Sequence, residues 1–231
     1  MARRLALGFV GILLLIMQPA EILAEPFRAT PAIPLGYSPN CVVEGDFNKD
    51  GKPDLAIADR NGNSIRIMLG NGEGGFSPAV SYPVSGSQDF MVAEDLNGDG
   101  NLDLVVLTSY GIGIVDVLLG NGDGTFQAAV PYAINPNDTE LVVGDFNGDG
   151  KLDIMTNKSL LIGKGDGTFF PAINSPLNGI TFGLAAGDFN GDGKLDIVAS
   201  DTSHVFVYTQ LGARPRRSFP STLECRSLLR I

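Results

Sequence analysis

The chain has 231 residues, including 30 Gly and 14 Pro, and carries a formal net charge of −10. This acidic balance argues against nucleic-acid binding, which requires a basic face. Short apolar runs alternate with turn residues and no long amphipathic helical stretch is present, so the sequence predicts an all-β protein. Aspartates of four short loops supply 12 of the 26 acidic residues, so the charge is largely local to those loops.

The N-terminus predicts a secretory signal over residues 1–24. Two arginines precede an apolar run at residues 5–17, and Ala20 or Ala24 offers a small side chain for cleavage. The run is shorter than the ~20 residues that a membrane span needs. We therefore expect a secreted, periplasmic or cell-surface protein with no membrane span after signal cleavage, the alternative being an uncleaved anchor.

Four similar nine-residue loops follow along the chain. They occupy residues 46–54 (loop 1, DFNKDGKPD), 95–103 (loop 2, DLNGDGNLD), 145–153 (loop 3) and 188–196 (loop 4, both DFNGDGKLD). Each has Asp at positions 1, 5 and 9, Asn at position 3 and Gly at position 6. The loops begin 49, 50 and 43 residues apart, which indicates an array of similar structural units.

The oxygen-rich pattern of these loops predicts Ca²⁺ binding. Calcium is a hard cation that takes six to eight oxygen ligands. We expect the side chains at positions 1, 3, 5 and 9 to ligate it, together with the backbone carbonyl of position 7. The predicted ligands are Asp46, Asn48, Asp50, Lys52 and Asp54; Asp95, Asn97, Asp99, Asn101 and Asp103; Asp145, Asn147, Asp149, Lys151 and Asp153; and Asp188, Asn190, Asp192, Lys194 and Asp196.

Two alternative interpretations of these loops, an EF-hand and ordinary turns, fit the residues less well. An EF-hand requires a Glu at position 12, where this chain has Ile57, Val106, Thr156 and Ala199. Asp, Asn and Gly are also ordinary turn residues. One loop alone would fit that description, but four loops with the same residues at the same positions favour a metal.

A second signature recurs between the loops. Phe27, Phe76, Phe126 and Phe169 each lie 19 residues before the first Asp of a loop, and the last three end the turns GNGEGGF, GNGDGTF and GKGDGTF. The first Asp of loops 1, 2 and 3 precedes the next Phe of this series by 30, 31 and 24 residues. The shorter third distance predicts a shortened hairpin in the third repeat.

One repeat, taken from Phe76, contains four predicted strands at residues 79–84, 90–94, 104–108 and 114–119. Four short strands within 50 residues are typical of one β-propeller blade. The apolar residue at loop position 2 is expected to point into the core. These residues are Phe47, Leu96, Phe146 and Phe189.

The phrase GDFNGDGKLDIV, together with LGNGDGTF, resembles the FG-GAP/VCBS-type repeats, calcium-loop blades also found in integrin α-subunit heads. The resemblance covers residues 27–210. It implies a β-propeller-like array of about four four-stranded antiparallel blades, with Ca²⁺ in the four loops, and an exported protein. Propellers of this family usually have seven blades, so the chain represents either part of a larger propeller or a small propeller with an irregular end.

The sequence divides into a signal at residues 1–24, the repeats at residues 25–212 and a non-repeat tail at residues 213–231. Cys41 and Cys225 lie near opposite ends of the mature chain and are open to two interpretations, a disulfide or two separate thiols.

No catalytic constellation is evident, since His204 is the only histidine and no reactive Ser is placed near it. We expect a non-enzymatic binding module for a protein or glycan. The alternatives are a carbohydrate-binding lectin and a non-catalytic fragment of a larger secreted or cell-surface enzyme.

Overall fold

A computed structural model describes residues 33–108, 111–177 and 183–211. Apart from Ile33, these residues belong to one unit of the chain. Their regular structure consists of 15 strands in four antiparallel sheets, without a helix. The prediction of an all-β array of antiparallel blades is therefore confirmed. With no helix in these ranges, none is long and apolar enough to cross a membrane.

The strands of each sheet are adjacent in chain order. Sheet 1 contains β1 (Pro39–Gly45), β2 (Asp54–Asp59), β3 (Ser64–Met68) and β4 (Val80–Pro83). Sheet 2 contains β5 (Phe90–Glu94), β6 (Asp103–Thr108), β7 (Ile114–Leu118) and β8 (Val130–Ala133). Sheet 3 contains β9 (Leu141–Gly144), β10 (Asp153–Thr156), β11 (Ser159–Leu161) and β12 (Ile173–Asn174). The described part of sheet 4 contains β13 (Gly183–Gly187), β14 (Asp196–Ser200) and β15 (Val205–Tyr208).

The grouping of strands predicted from Phe76 is wrong by one strand. The strand β4 does not open sheet 2 but closes sheet 1, where Tyr82 pairs with Ile65 of β3. The Gly-rich turn before it is a hairpin, since Gly70 and Phe76 form an antiparallel bridge that folds the chain back onto its own sheet. The chain passes to the next sheet after Pro83 instead.

Each predicted metal loop joins the first two strands of its sheet, so the four loops occupy equivalent positions. The shortened hairpin of the third repeat is confirmed. Four residues separate β2 from β3 in sheet 1, whereas only Asn157 and Lys158 separate β10 from β11 in sheet 3.

Three hydrophobic clusters join each sheet to the next. On β6, Leu104 and Val106 pack towards sheet 1, while Val105 and Leu107 pack towards sheet 3. All four are fully buried. A strand covered on both faces carries apolar residues at successive positions, which explains why residues 104–107 show no alternation.

The prediction that loop position 2 points into the core is confirmed for three loops and wrong for the fourth. Phe47, Leu96 and Phe146 are buried, but Phe189 is 53% exposed. Phe47 is covered by Phe126 from the turn of the following sheet, with ring centroids 5.4 Å apart in an edge-to-face arrangement. Phe189 belongs to sheet 4, and no sheet follows it within the described residues.

Several predictions fall outside the residues that the structure describes. These are the signal, Phe27, the tail at residues 213–231 and Cys225. Cys41 itself is half buried in β1. Its pairing with Cys225 stays a prediction.

Candidate metal-binding loops

Each loop is held by hydrogen bonds from its own backbone to its polar side chains. In loop 3, Asp145 accepts the N–H groups of Asp149 at 3.1 Å and Gly150 at 2.8 Å. Asn147 also accepts the Asp149 N–H at 2.8 Å, and Asp149 accepts the Lys151 N–H at 3.0 Å. The same pattern recurs in the other loops. The oxygens at positions 1, 3 and 5 are thereby turned inwards over the loop.

The glycine at position 6 is required by the backbone. Its φ lies between 78° and 81° in all four loops. This is a left-handed backbone conformation that residues other than glycine adopt only at an energetic cost. Position 4 has the same need: Gly98, Gly148 and Gly191 have φ of 74°, 75° and 78°, but loop 1 places Lys49 there with φ of 60°.

The aspartate at position 9 is buried beneath each loop. Asp54, Asp103, Asp153 and Asp196 are all 0% exposed, so none of them points to solvent. In loop 2, one oxygen of Asp103 accepts the N–H of Leu96 at 2.9 Å and the other accepts the N–H of Gly120 at 2.8 Å. Equivalent pairs occur in loops 1, 3 and 4. This carboxylate therefore ties the start of its loop to the end of the third strand.

The downstream partners of position 9 were missed by sequence reasoning. In sheets 1 to 3 they are Gly70, Gly120 and Gly163, the first glycines of the Gly-rich turns. A Cβ at any of these three would clash with the backbone carbonyl oxygen of loop position 8. The recurrence of this glycine at the start of each turn is the signal that could have identified it.

Burial and neighbouring charges disfavour ionisation at position 9 of loops 2 and 3. Burial raises the pKa of Asp153 from 3.8 to about 6, with a further contribution from the charges of Asp149 and Asp145, against the opposing effect of its two N–H donors. The pKa of Asp103 is raised for the same reasons. Within the described ranges no Lys, Arg or His forms an ion pair with a position-9 carboxylate. The buried negative charge therefore has no protein counter-charge there.

Two aspartates at the exposed end of the loops have a lowered pKa instead. Hydrogen bonds from the loop backbone, led by the N–H of Gly193, lower the pKa of Asp188. The N–H of Asn101 does the same for Asp99, with a small contribution from the Lys49 ammonium of loop 1. Loops 1 and 2 are close neighbours, since the Lys49 ammonium nitrogen lies 3.7 Å from where a Cβ on Gly100 would stand.

Loops 3 and 4 are also neighbours. They border an open groove of about 340 Å³ lined by Asp145, Gly148, Gly193, Lys194, Leu195 and Gln210. Gln210 donates from its side-chain amide to the backbone carbonyl of Asp145 at 3.4 Å.

The donor set fits Ca²⁺ by its chemistry, since it consists of carboxylate, amide and backbone oxygens. The described residues contain no group of three or more Asp, Glu, His or Cys side chains drawn closely enough together to hold a metal as they stand. The ligand assignments at positions 1, 3, 5, 7 and 9 therefore stay predictions. His204 is exposed and lies 3.3 Å from Asp201 in the hairpin between β14 and β15.

A sequence model described as FG-GAP-like repeat matches residues 46–106, 95–156 and 157–199, which together span more than half of the chain. A comparison with curated protein sequences finds no match.

Fourteen chains among the solved structures are similar to this chain, including the following two. One is an Agrocybe aegerita lectin that specifically recognises non-reducing terminal N-acetylglucosamine, with 20% identity and a TM-score of 0.56 over 75% of this chain and 50% of the lectin. The other is the V. cholerae biofilm matrix protein Bap1, with 21% identity and a TM-score of 0.42 over 77% of this chain and 30% of that protein. The chain thus spans half the length of the lectin. The likeness to the lectin supports the fold.

Proposed function

This chain belongs to the FG-GAP-like repeat family, and we propose that it is an exported calcium-binding module that presents a binding surface for a protein or glycan. Its direct activity on this proposal is the binding of Ca²⁺ in loops 1 to 4. The module itself carries no catalytic activity.

The observation that carries the proposal is the buried carboxylate at position 9. Burying an ionised carboxylate is costly unless a cation or several hydrogen bonds compensate for it. Asp153 accepts two N–H groups, yet burial still raises its pKa to about 6. A divalent cation held between this carboxylate and the inward-turned oxygens of positions 1, 3 and 5 would supply the compensating charge.

The test is calorimetric titration of the metal-free protein with CaCl₂ and, separately, with MgCl₂. We expect calcium to bind and magnesium to bind much more weakly, because Mg²⁺ demands a stricter octahedral geometry. Asp145→Asn should remove one site's share of the binding heat. Asp123→Asn is the matched control, because Asp123 is an exposed turn aspartate that accepts hydrogen bonds from Thr125 outside the metal loops. Absence of calcium binding, or equal losses in both variants, would contradict the assignment.

Export is supported by the predicted signal at residues 1–24. Extracellular calcium modules commonly bind with Kd of about 10⁻⁴–10⁻³ M, a range suited to the calcium concentrations outside cells. Protein sequencing of the exported product should show a new N-terminus close to Ala20 or Ala24.

A second candidate function is that of a carbohydrate-binding lectin. The similar lectin recognises a terminal N-acetylglucosamine, and this favours a glycan over a protein as the first ligand class to test here. Binding of the calcium-loaded chain on a glycan array, abolished by chelator, would identify it as a lectin. A third alternative, the non-catalytic part of a larger secreted enzyme, would leave the array blank.

A further inference from the structure

One type of contact between sheets is repeated three times in this chain. We call the side of a sheet that packs on the following sheet its forward face, and the opposite side its back face. The forward face consists of loop position 2 and alternate residues of the second and third strands, and the back face consists of the intervening residues with the turn Phe. Sheets 1, 2 and 3 have their forward faces covered in this way.

The forward face of sheet 4 also carries a Phe at loop position 2 and two β-branched residues on its third strand, but it lacks a cover within the described residues. Val205 pairs with Ser200, as Ile65 pairs with Ala58 in sheet 1. Ile65 is 0% exposed, whereas Val205 is 68% exposed.

Its two neighbours on the same face repeat this contrast. Val207 is 40% exposed, while Ile67, the residue in the same register of sheet 1, is 1% exposed. Phe189 is 53% exposed, while Phe47 is 3% exposed because Phe126 covers it. All three side chains are apolar, like their buried counterparts in sheet 1.

The back face of sheet 1 is the complementary open end. Val42 pairs with loop position 12, as Met91 and Leu141 do in sheets 2 and 3. Those two are 3% and 2% exposed, whereas Val42 is 59% exposed. Phe76 is half buried, although its counterpart Phe126 is only 6% exposed.

The middle of this back face is already covered. Ile57 is 5% exposed, and the ring of Tyr37 lies over the guanidinium of Arg66 at 4.3 Å. A partner sheet would therefore reach mainly the first strand and the turn Phe. Adjacent sheets within the chain also contact each other through their first strands: β1 contacts β5, β5 contacts β9 and β9 contacts β13.

We propose that the forward face of sheet 4 binds the back face of sheet 1 of a second copy of this chain, continuing the blade-to-blade series between molecules. Phe189 of one copy would meet Phe76 of the other, as Phe47 meets Phe126 within the chain. A head-to-tail contact of this kind forms a closed ring when its rotation completes a circle. Two copies would contribute about eight blades, the upper end of the 4–8 blades typical of propellers.

The test is the oligomeric state of the full exported chain in calcium, measured by sedimentation and by light scattering across a range of protein concentrations. We expect a dimer. Val205→Lys and Phe189→Ser on the forward face, and Val42→Lys on the back face, should each weaken the dimer about tenfold or more.

Matched controls separate this contact from a general loss of surface valine or phenylalanine. Val80→Lys and Phe170→Ser change side chains that are 53% and 51% exposed but lie outside both faces, and they should leave the dimer intact. Melting curves of all the variants establish that they are folded.

Three results would overturn the proposal. A monomeric wild-type chain would show that residues of the same chain, or a different protein, cover the face. A dimer that survives all three face variants would use another surface. A dimer sensitive to Val205→Lys but not to Val42→Lys would pack its forward faces against each other.

Discussion

At the residue scale, the aspartate at loop position 9 has two roles that the sequence does not separate. Asp103 bonds to the N–H of Leu96 and to that of Gly120, and so joins the loop to the third strand. Each carboxylate oxygen retains a further lone pair for a cation. A substitution here removes the acceptor that links the loop to the third strand as well as a ligand. The side-chain hydrogen bonds of Asp145 at position 1 stay within its own loop, which makes position 1 the cleaner site for testing calcium.

The raised pKa of Asp153 predicts a dependence of stability on pH that changes sign with calcium. Without calcium, the folded-state pKa of about 6 lies above the ordinary value of 3.8, so the protonated carboxyl favours folding at low pH. That stability is fully present below pH 3.8 and is lost as the pH rises through 6. With calcium, the ligand must be deprotonated, so stability is gained over the same rise.

Chemical unfolding between pH 4.5 and 7, with chelator and with saturating calcium, measures both trends. Asp153→Asn has no titrating group at this position, so the free energy of unfolding should vary less with pH than in wild type, both in chelator and in calcium. A wild-type protein with the same slope in chelator and in calcium would contradict the assignment of Asp153.

At the element scale, the sequence predicted the loops and the antiparallel strands well because each has a strong local signature. It also predicted the short hairpin of the third repeat, since spacing alone reveals a missing segment. It misplaced β4 because a Gly-rich turn looks the same whether it joins two strands of one sheet or two sheets. The exposure of Phe189 was not predictable from its repeat, because its burial depends on a neighbouring sheet and not on its own loop.

Loop 1 differs from the other three loops at position 4. Lys49 adopts φ of 60° at a position where the other loops have glycine. A left-handed conformation costs an L-residue about 1–2 kcal/mol, partly offset by the greater chain entropy that glycine loses on folding. We expect Lys49→Gly to stabilise the protein by about 0.5–1 kcal/mol.

The reverse change in loop 2 is the matched control. A Cβ on Gly98 would meet nothing within 4 Å, so Gly98→Ala isolates the backbone effect and should destabilise by about 1 kcal/mol. Both are measured by denaturant unfolding in high salt, which screens the attraction between Lys49 and Asp99. A destabilising Lys49→Gly under these conditions would show that the backbone at position 4 is not strained.

At the scale of the whole molecule, apolar clusters join the sheets. Negative charge is concentrated in loops 1 to 4, which connect the first and second strands of each sheet. Each loop holds three aspartates, and the third is buried without a cationic partner in the described part of the chain. A cation that binds only the folded state adds about 2.7 kcal/mol per site when its free concentration is 100 times Kd. Four independent sites would add about 10 kcal/mol, comparable with the net stability of a typical domain.

Calcium binding in the four loops is tested most directly by the melting temperature of the protein in calcium, in a strong chelator, and after calcium is restored. We expect a large fall in chelator, recovery with Ca²⁺ and much weaker recovery with Mg²⁺. Asp145→Ala should lose about a quarter of the calcium-dependent increment if the sites are independent. Identical melting curves with and without chelator would show that the four loops are ordinary turns and would contradict the account.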